Sequence, residues 1–392
     1  MNYNFDKIIS RKGTNCIKYD ELGTIFGRED LIPMWVADMD FKPPTFVTKA
    51  VQKRAEHSIL GYTLRPDSYY EAIINWNKKC HGWTIQKEWI SNSPGVVPAV
   101  NMAILAFSNP GDNIILQTPI YFPFFDAVKL NNRKILNNPL KLENGRYKMD
   151  FVDLKKKINS KTKMILLSSP HNPGGNVWKR EELKELGDIC KENNIIILSD
   201  EIHNDLIFNG NTHTPTASIS EEIAEITLTC MAPSKTFNLA GLSTAYVIAS
   251  NKEILNKYNA EVEKLHLGMG NTFGITALEA AYNHGEEWLK QLLQYLQENV
   301  NTVDSFFKKE LPQVKIIIPE ATYLIWIDFR DTNIEPDKLN AIFINHAKVA
   351  ITDGRMYGEE GKGFFRMNIA CPKSVVETAL KRIKTAILSQ MK

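Results

Sequence analysis

Lys235 is the residue whose setting first suggests chemistry. It stands in Ser234-Lys235-Thr236-Phe237, directly after the apolar run ITLTCMAP. A lysine carried by a buried strand into a Pro-Ser turn and held away from water has a lowered pKa and attacks aldehydes as a free amine. An ordinary loop lysine would fit the same position. Asp200 follows a second apolar run, IIILS, and opens Asp200-Glu201-Ile202-His203-Asn204-Asp205. A carboxylate at the end of a buried strand costs free energy unless it meets a cation or several donors. A protonated pyridine nitrogen is such a cation; a helix cap beside a satisfied histidine is the plainer role. His203, three residues on, can share the face of Asp200. No second histidine stands at ligand spacing from His203, so no metal is expected. Asn172, in His171-Asn172-Pro173-Gly174-Gly175 after KMILLSS, can donate its amide to a ring oxygen or a carboxylate if it points into a crevice. The turn itself is common to many loops. Gly95, Val96 and Val97, in Ser93-Pro94-Gly95-Val96-Val97-Pro98, precede the helical pattern AVNMAILAF. Gly95 allows a tight turn and Pro98 suits the first helical turn. Free N–H groups there make an anion site, unless the segment is a plain helix start.

These segments need a scaffold that brings strand ends together. Residues 113–117, 163–168, 195–199 and 226–229 read as buried strands, and 179–193 carries Leu183, Leu186 and Ile189 at helical spacing. Strand, helix, strand in this order predicts a mostly parallel sheet covered on both faces, which binds ligands beyond the carboxyl ends of its strands. The last third differs. A long helical pattern from about Glu286 to Lys309 is followed by strand-like KIIIP, ATYLIWIDF and FFRMNIA, then a closing helix from Lys373. The expected division is an N-terminal segment 1–45 joining a smaller α+β domain at 286–392, with a large domain at 46–285. Forty-five residues cannot form a core alone.

Several classes are excluded. Lys and Arg number 47 against 45 Asp and Glu, without a basic block, so nucleic acid is not an expected partner. Five scattered cysteines with no C-x-x-C pair argue against a disulfide framework or zinc site and predict a reducing, cytoplasmic setting. The N-terminus lacks the apolar core of a signal peptide, and no apolar run reaches membrane-spanning length.

In chain order the anion loop, Asn172, Asp200 and Lys235 resemble the fold-type I pyridoxal-5′-phosphate (PLP) enzymes, the aminotransferase class I/II superfamily, over nearly the whole chain. The resemblance implies an α/β fold with a large PLP-binding domain and a smaller α+β domain. It implies that Lys235 holds PLP as a Schiff base, Asp200 pairs with the pyridinium nitrogen, and Asn172 and His203 lie near the ring's phenolic oxygen. Tyr121, in TPIYFPFF, would stack on the ring, although its phenylalanine neighbours also suit a core tyrosine. Ser234 and the backbone of Gly95, Val96 and Val97 would hold the phosphate. Tyr62, in LGYT, would reach the phosphate of a neighbouring subunit and make the enzyme an obligate homodimer; it also reads as a buried aromatic. Arg366, in FFRMNIACP, would grip a substrate α-carboxylate, helped by the backbone N–H of Ala37 in WVADMDF. In one departure, Ser243 occupies the position where many relatives place a phosphate-binding arginine, and Ala232 replaces a serine.

MWVADMDF, SPGVVPAV, TPIYFPFF, HNPGG, SDEIHNDL and SKTFNLAGL are similar to the MalY/PatB group of cystathionine β-lyases. This likeness implies β-elimination from L-cystathionine or a related cysteine S-conjugate, giving thiol, pyruvate and ammonia. An aminotransferase, or a PLP-fold protein with a regulatory binding role, are the rival expectations.

Overall fold

The computed structural model describes residues 2–390. Its centre is a seven-stranded sheet built from β1 (Ile90–Ser93), β2 (Asn113–Leu116), β3 (Lys134–Asn137), β4 (Thr162–Ser168), β5 (Ile196–Asp200), β6 (Thr227–Met231) and β7 (Ala245–Ile248). The order is β1-β7-β6-β5-β4-β2-β3. Strands β3, β2, β4, β5 and β6 run parallel, and β7 is antiparallel to both β6 and β1. The strands predicted at 113–117, 163–168, 195–199 and 226–229 are β2, β4, β5 and β6.

Successive residues of β4 serve opposite faces, as the pleat requires. Met164 and Leu166 pack with α1 (Val96–Phe107), while Ile165 and Leu167 pack with α2 (Arg180–Glu192) through Leu183, Leu186 and Ile189. With both faces covered, these strands are apolar almost throughout, which explains their legibility. Beyond β6 the chain enters the short helix α3 (Pro233–Thr236), which carries Lys235.

The C-terminal part contains α4 (Glu286–Glu310), a four-stranded antiparallel sheet and α5 (Lys373–Gln390). The sheet's strands are β8 (Lys315–Ile317), β9 (Leu324–Asp328), β10 (Thr352–Asp353) and β11 (Phe364–Asn368), in the order β8-β9-β11-β10. The N-terminal segment is threaded into this part. Ile32–Pro33 pairs with Val349–Ala350 in parallel, and Phe5 lies against Trp288 and Tyr295 of α4 at ring separations of 5.8 and 5.4 Å. The Asn368 side chain on β11 donates to the carbonyls of Val36 and Asp38 at 2.5 and 2.6 Å. The chain around Ala37 is thereby fixed to the strand that carries Arg366. Among the described residues no helix is long and apolar enough to cross a membrane.

Candidate active site

The register of the large sheet sets the site. Ser168 pairs with Asp200, and Asp200 with Cys230, so β4, β5 and β6 end level and their following segments converge. Ala37, Gly95, Val96, Val97, Tyr121, Asn172, Asp200, His203, Ser234 and Lys235 all line one cavity of about 200 Å³. Arg366 lines a second cavity of about 400 Å³, which shares Ala37, Tyr121 and Lys235 with the first. Tyr62 lines neither; it is 94% exposed, which removes the buried-aromatic reading.

The Lys235 Nζ donates to the Ala37 carbonyl at 2.7 Å, and the Tyr323 hydroxyl donates to the same oxygen at 3.0 Å. Burial pulls the Lys235 ammonium down to about 8; Asp38 and Asp200 oppose the shift and Arg366 adds to it. Asp200 is displaced the other way. Burial raises its carboxyl to about 7, against a hydrogen bond from the Ile202 N–H at 3.1 Å and the field of Lys235. His203 is buried with Nδ1 unpartnered. Burial, and then the cations Lys235 and Arg366, hold its ring neutral.

Arg366 is 3% exposed. Its Nη1 donates to Asn172 Oδ1 at 3.0 Å and its Nη2 to the Trp35 carbonyl at 2.9 Å, while the Tyr357 ring lies 5.1 Å from the guanidinium carbon. Its Nε is buried and unpartnered. Since Asn172 Oδ1 faces this arginine, the Asn172 amide nitrogen is left to act as the donor. The Ala37 carbonyl accepts from Lys235 and Tyr323, and the residue lines both cavities.

At the opposite end the amino terminus of α1 opens on the cavity beside Ser234, Ser243 and Thr244. Lys235 is the only Lys or Arg among the described residues lining it. Backbone N–H groups and the helix dipole contribute positive potential at the Ser243 end, with hydroxyls as additional donors. Gly95 does not serve the tight turn expected of it. Its backbone is extended, with φ at 176°, and an added Cβ would approach only Pro98, at 3.4 Å.

A family match over most of the chain gives this constellation its context. The model of "Aminotransferase class I and II" matches residues 29–383. The chain belongs to this family. It is similar to cystathionine beta-lyase PatB of Bacillus subtilis, at 43% identity over 98% of this chain and all of the relative. A PLP-bound putative aminotransferase from Clostridium difficile superposes with a TM-score of 0.97 at 43% identity, covering 98% of this chain and 100% of that one. A PLP-bound C-S lyase from Staphylococcus hominis superposes at 0.92 with 37% identity, covering 99% of each chain.

The donor set fits a phosphorylated pyridine aldehyde. A buried carboxyl raised to about 7 suits a ring N–H⁺, an unpartnered buried His203 nitrogen suits a ring substituent, and a helix amino terminus suits a phosphate. The sequence reading overlooked Trp35 and Tyr323, which position Arg366 and Ala37 by hydrogen bonds, and Tyr357, which lies against the guanidinium. Trp35 stands within MWVADMDF, and its adjacency to Ala37 was the available signal. Tyr323 lies in ATYLIWIDF, which reads only as a buried strand.

Proposed function

We propose that the chain is a PLP-dependent carbon–sulfur β-lyase, cleaving L-cystathionine or a related cysteine S-conjugate to thiol, pyruvate and ammonia. The meeting of Lys235, Asp200 and the Asn172–Arg366 pair around two adjoining cavities supports PLP chemistry on an amino acid, and the full-length likeness to relatives named as lyases carries the choice of β-elimination. Family members of the same full length that are named as C–S lyases support it. Lys235 would hold the cofactor covalently. Asp200 would hold the ring nitrogen, Asn172 and His203 the ring oxygen, Tyr121 one ring face, and Ser234 with the Gly95–Val97 backbone the phosphate. Bound there, PLP supplies an electron sink conjugated to the substrate's Cα.

The chain's own residues then divide the work. Arg366 receives the α-carboxylate in a two-pronged contact, and Asn172 holds the guanidinium in position. Lys235 takes the Cα proton at Nζ; burial lowers its ammonium to about 8, so far more of it is free amine near neutrality than of an exposed lysine. It passes that proton to the departing thiolate. Asp200 would stabilise a protonated ring nitrogen and so favour the sink. Tyr62, with the exposed apolar side chains Ile59, Leu60 and Leu64 beside it, would complete the phosphate site of a second subunit in a homodimer. Five free thiols suit a cytoplasmic location.

Transamination is the second reading, favoured by the likeness to a putative aminotransferase. A progress curve with L-cystathionine alone separates the two. Steady pyruvate release without a keto acid, with the cofactor spectrum retained, is expected. A single burst that converts the cofactor to its amine form, restarted by a keto acid, would make the chain an aminotransferase.

A further inference from the structure

The second cavity has twice the volume of the first and meets it at Ala37, Tyr121 and Lys235. It runs between Lys235 and the half-exposed Ile25 and Met356, so it offers room for a substituent on sulfur. Its walls are largely apolar, with Ile25 and Phe26 from the short helix Leu22–Phe26, then Trp35, Phe122, Ile344 and Met356, and with Asn340, Thr352 and Asp353 as polar neighbours. Phe26 meets Trp35 edge-on at 5.4 Å, and the indole N–H is already given to the Lys18 carbonyl at 3.0 Å. Ile25 and Met356 are 50% and 49% exposed, so a ligand seated here would remove apolar surface from water.

The charges lining this cavity are already engaged. Arg366 is bonded to Asn172 and the Trp35 carbonyl and stands at the α-carboxylate end. Asp353 accepts from the Arg355 N–H at 2.9 Å and from its guanidinium at 2.6 Å. Lys235 belongs to the reaction. Cystathionine carries a second ammonium and carboxylate at its far end. Its distal ions must either press against these apolar walls or return to water at the half-exposed mouth, and in neither place do they gain a free charged partner among the residues lining the cavity, whereas an apolar substituent gains the wall contacts.

Resting on the lyase reading above, we propose that the natural substrate class is cysteine thioethers with an uncharged, apolar S-substituent, and that Ile25, Phe26, Trp35 and Met356 set this preference. The net reaction is hydrolytic elimination. The Cβ–S bond breaks with its electron pair going to sulfur, the sulfur gains a proton, and water converts the remaining three-carbon unit to pyruvate and ammonium. For S-benzyl-L-cysteine the products are phenylmethanethiol, pyruvate and ammonium, with no change of overall oxidation state.

The test compares kcat/KM of the holoenzyme for S-benzyl-L-cysteine, S-methyl-L-cysteine and L-cystathionine by pyruvate release. The benzyl thioether is expected to exceed cystathionine at least tenfold. Ile25→Lys, which puts an ammonium at the half-exposed mouth where a distal carboxylate would lie, should lower that ratio at least tenfold. Pyruvate from all three thioethers, with cystathionine equal to or better than the benzyl compound, would overturn the pocket inference and leave the lyase reading standing. No sustained pyruvate from any thioether would overturn the lyase reading itself. A benzyl preference unchanged by Ile25→Lys in a variant with wild-type cofactor absorbance would remove this wall from the account.

Discussion

Removing the Arg366 guanidinium tests the carboxylate site most directly. The side chain is 3% exposed and makes two hydrogen bonds, at 3.0 Å to Asn172 Oδ1 and at 2.9 Å to the Trp35 carbonyl, with its Nε unpartnered. These contacts aim the fork and leave donor capacity for an anion. Hydrogen bonds to charged groups are worth about 1.5–3 kcal/mol each, so losing two to a carboxylate costs about 3–6 kcal/mol. At about 1.4 kcal/mol per tenfold, Arg366→Ala should lower kcat/KM by roughly 10²- to 10⁴-fold, mostly through KM. Arg366→Lys restores the charge but not the fork, and should recover about half of that free energy. The assay is initial-rate pyruvate release over a range of thioether concentrations, with cofactor absorbance as a check on the fold. The cofactor spectrum should survive in both variants, because Arg366 lines the second cavity rather than the first. A KM unchanged in both variants would refute the reasoning and move the carboxylate site elsewhere.

The other residues make separate predictions. Borohydride should fix the cofactor to the peptide containing Lys235, as read by mass spectrometry, and Lys235→Ala should lose turnover by several orders of magnitude while still binding PLP loosely; labelling of another lysine would contradict the assignment. Asp200→Asn keeps the shape and removes the charge, and should cost about 1.5–3 kcal/mol in the reaction barrier, roughly 10- to 100-fold in kcat. In the cofactor-free protein the Asp200 carboxyl is raised from 3.8 to about 7 by burial. Its contribution to stability is therefore fully present below pH 4 and is lost as pH rises toward 7. Urea unfolding should show wild type losing ground to Asp200→Asn across that window, and a pH-independent difference would contradict the shift. If Tyr62 acts across a subunit interface, mixing Tyr62→Phe and Lys235→Ala subunits should restore activity that neither has alone, because each hybrid dimer contains one intact site; an active monomer in ultracentrifugation would contradict it.

Legibility in the sequence followed the physics of each element. Strands β2, β4, β5 and β6 were readable because burial on both faces makes them nearly uniform in hydrophobicity. The edge strand β3, with sequence KILN, and β1, with sequence ISNS, carry polar residues that hide them. The antiparallel direction of β7 has no local signature, since AYVI pairs as well either way. At the site, residues beyond strand ends were found because position and type agree there. The Trp35 and Ala37 carbonyls were not, because a backbone acceptor has no side-chain signal. Ile25 and Phe26 were missed because they meet Trp35 only through the tertiary threading of the N-terminal segment onto β11.

Lyase and transaminase chemistry begin with loss of the same proton, so Lys235, Asp200 and Arg366 cannot choose between them. In the proposed site Arg366 would direct the carboxylate and Lys235 would face the Cα proton. With the amine committed to the cofactor, the side chain is the one remaining direction at Cα. Elimination requires the Cβ–S bond to be held parallel to the π electrons of the ring, whereas reprotonation makes no such demand. The wall that seats the sulfur substituent therefore controls the outcome. Trp35 is held there by its hydrogen bond to the Lys18 carbonyl and by the Phe26 ring. Trp35→Ala deletes this wall yet keeps the backbone carbonyl that positions Arg366. The Cα–Cβ torsion is then freed, and the number of pyruvate molecules formed per cofactor converted to its amine form should fall at least tenfold, while the rate of Cα proton exchange with solvent deuterium is maintained. Equal losses in elimination and exchange would mean that Trp35 supports the fold of the site rather than the choice of reaction.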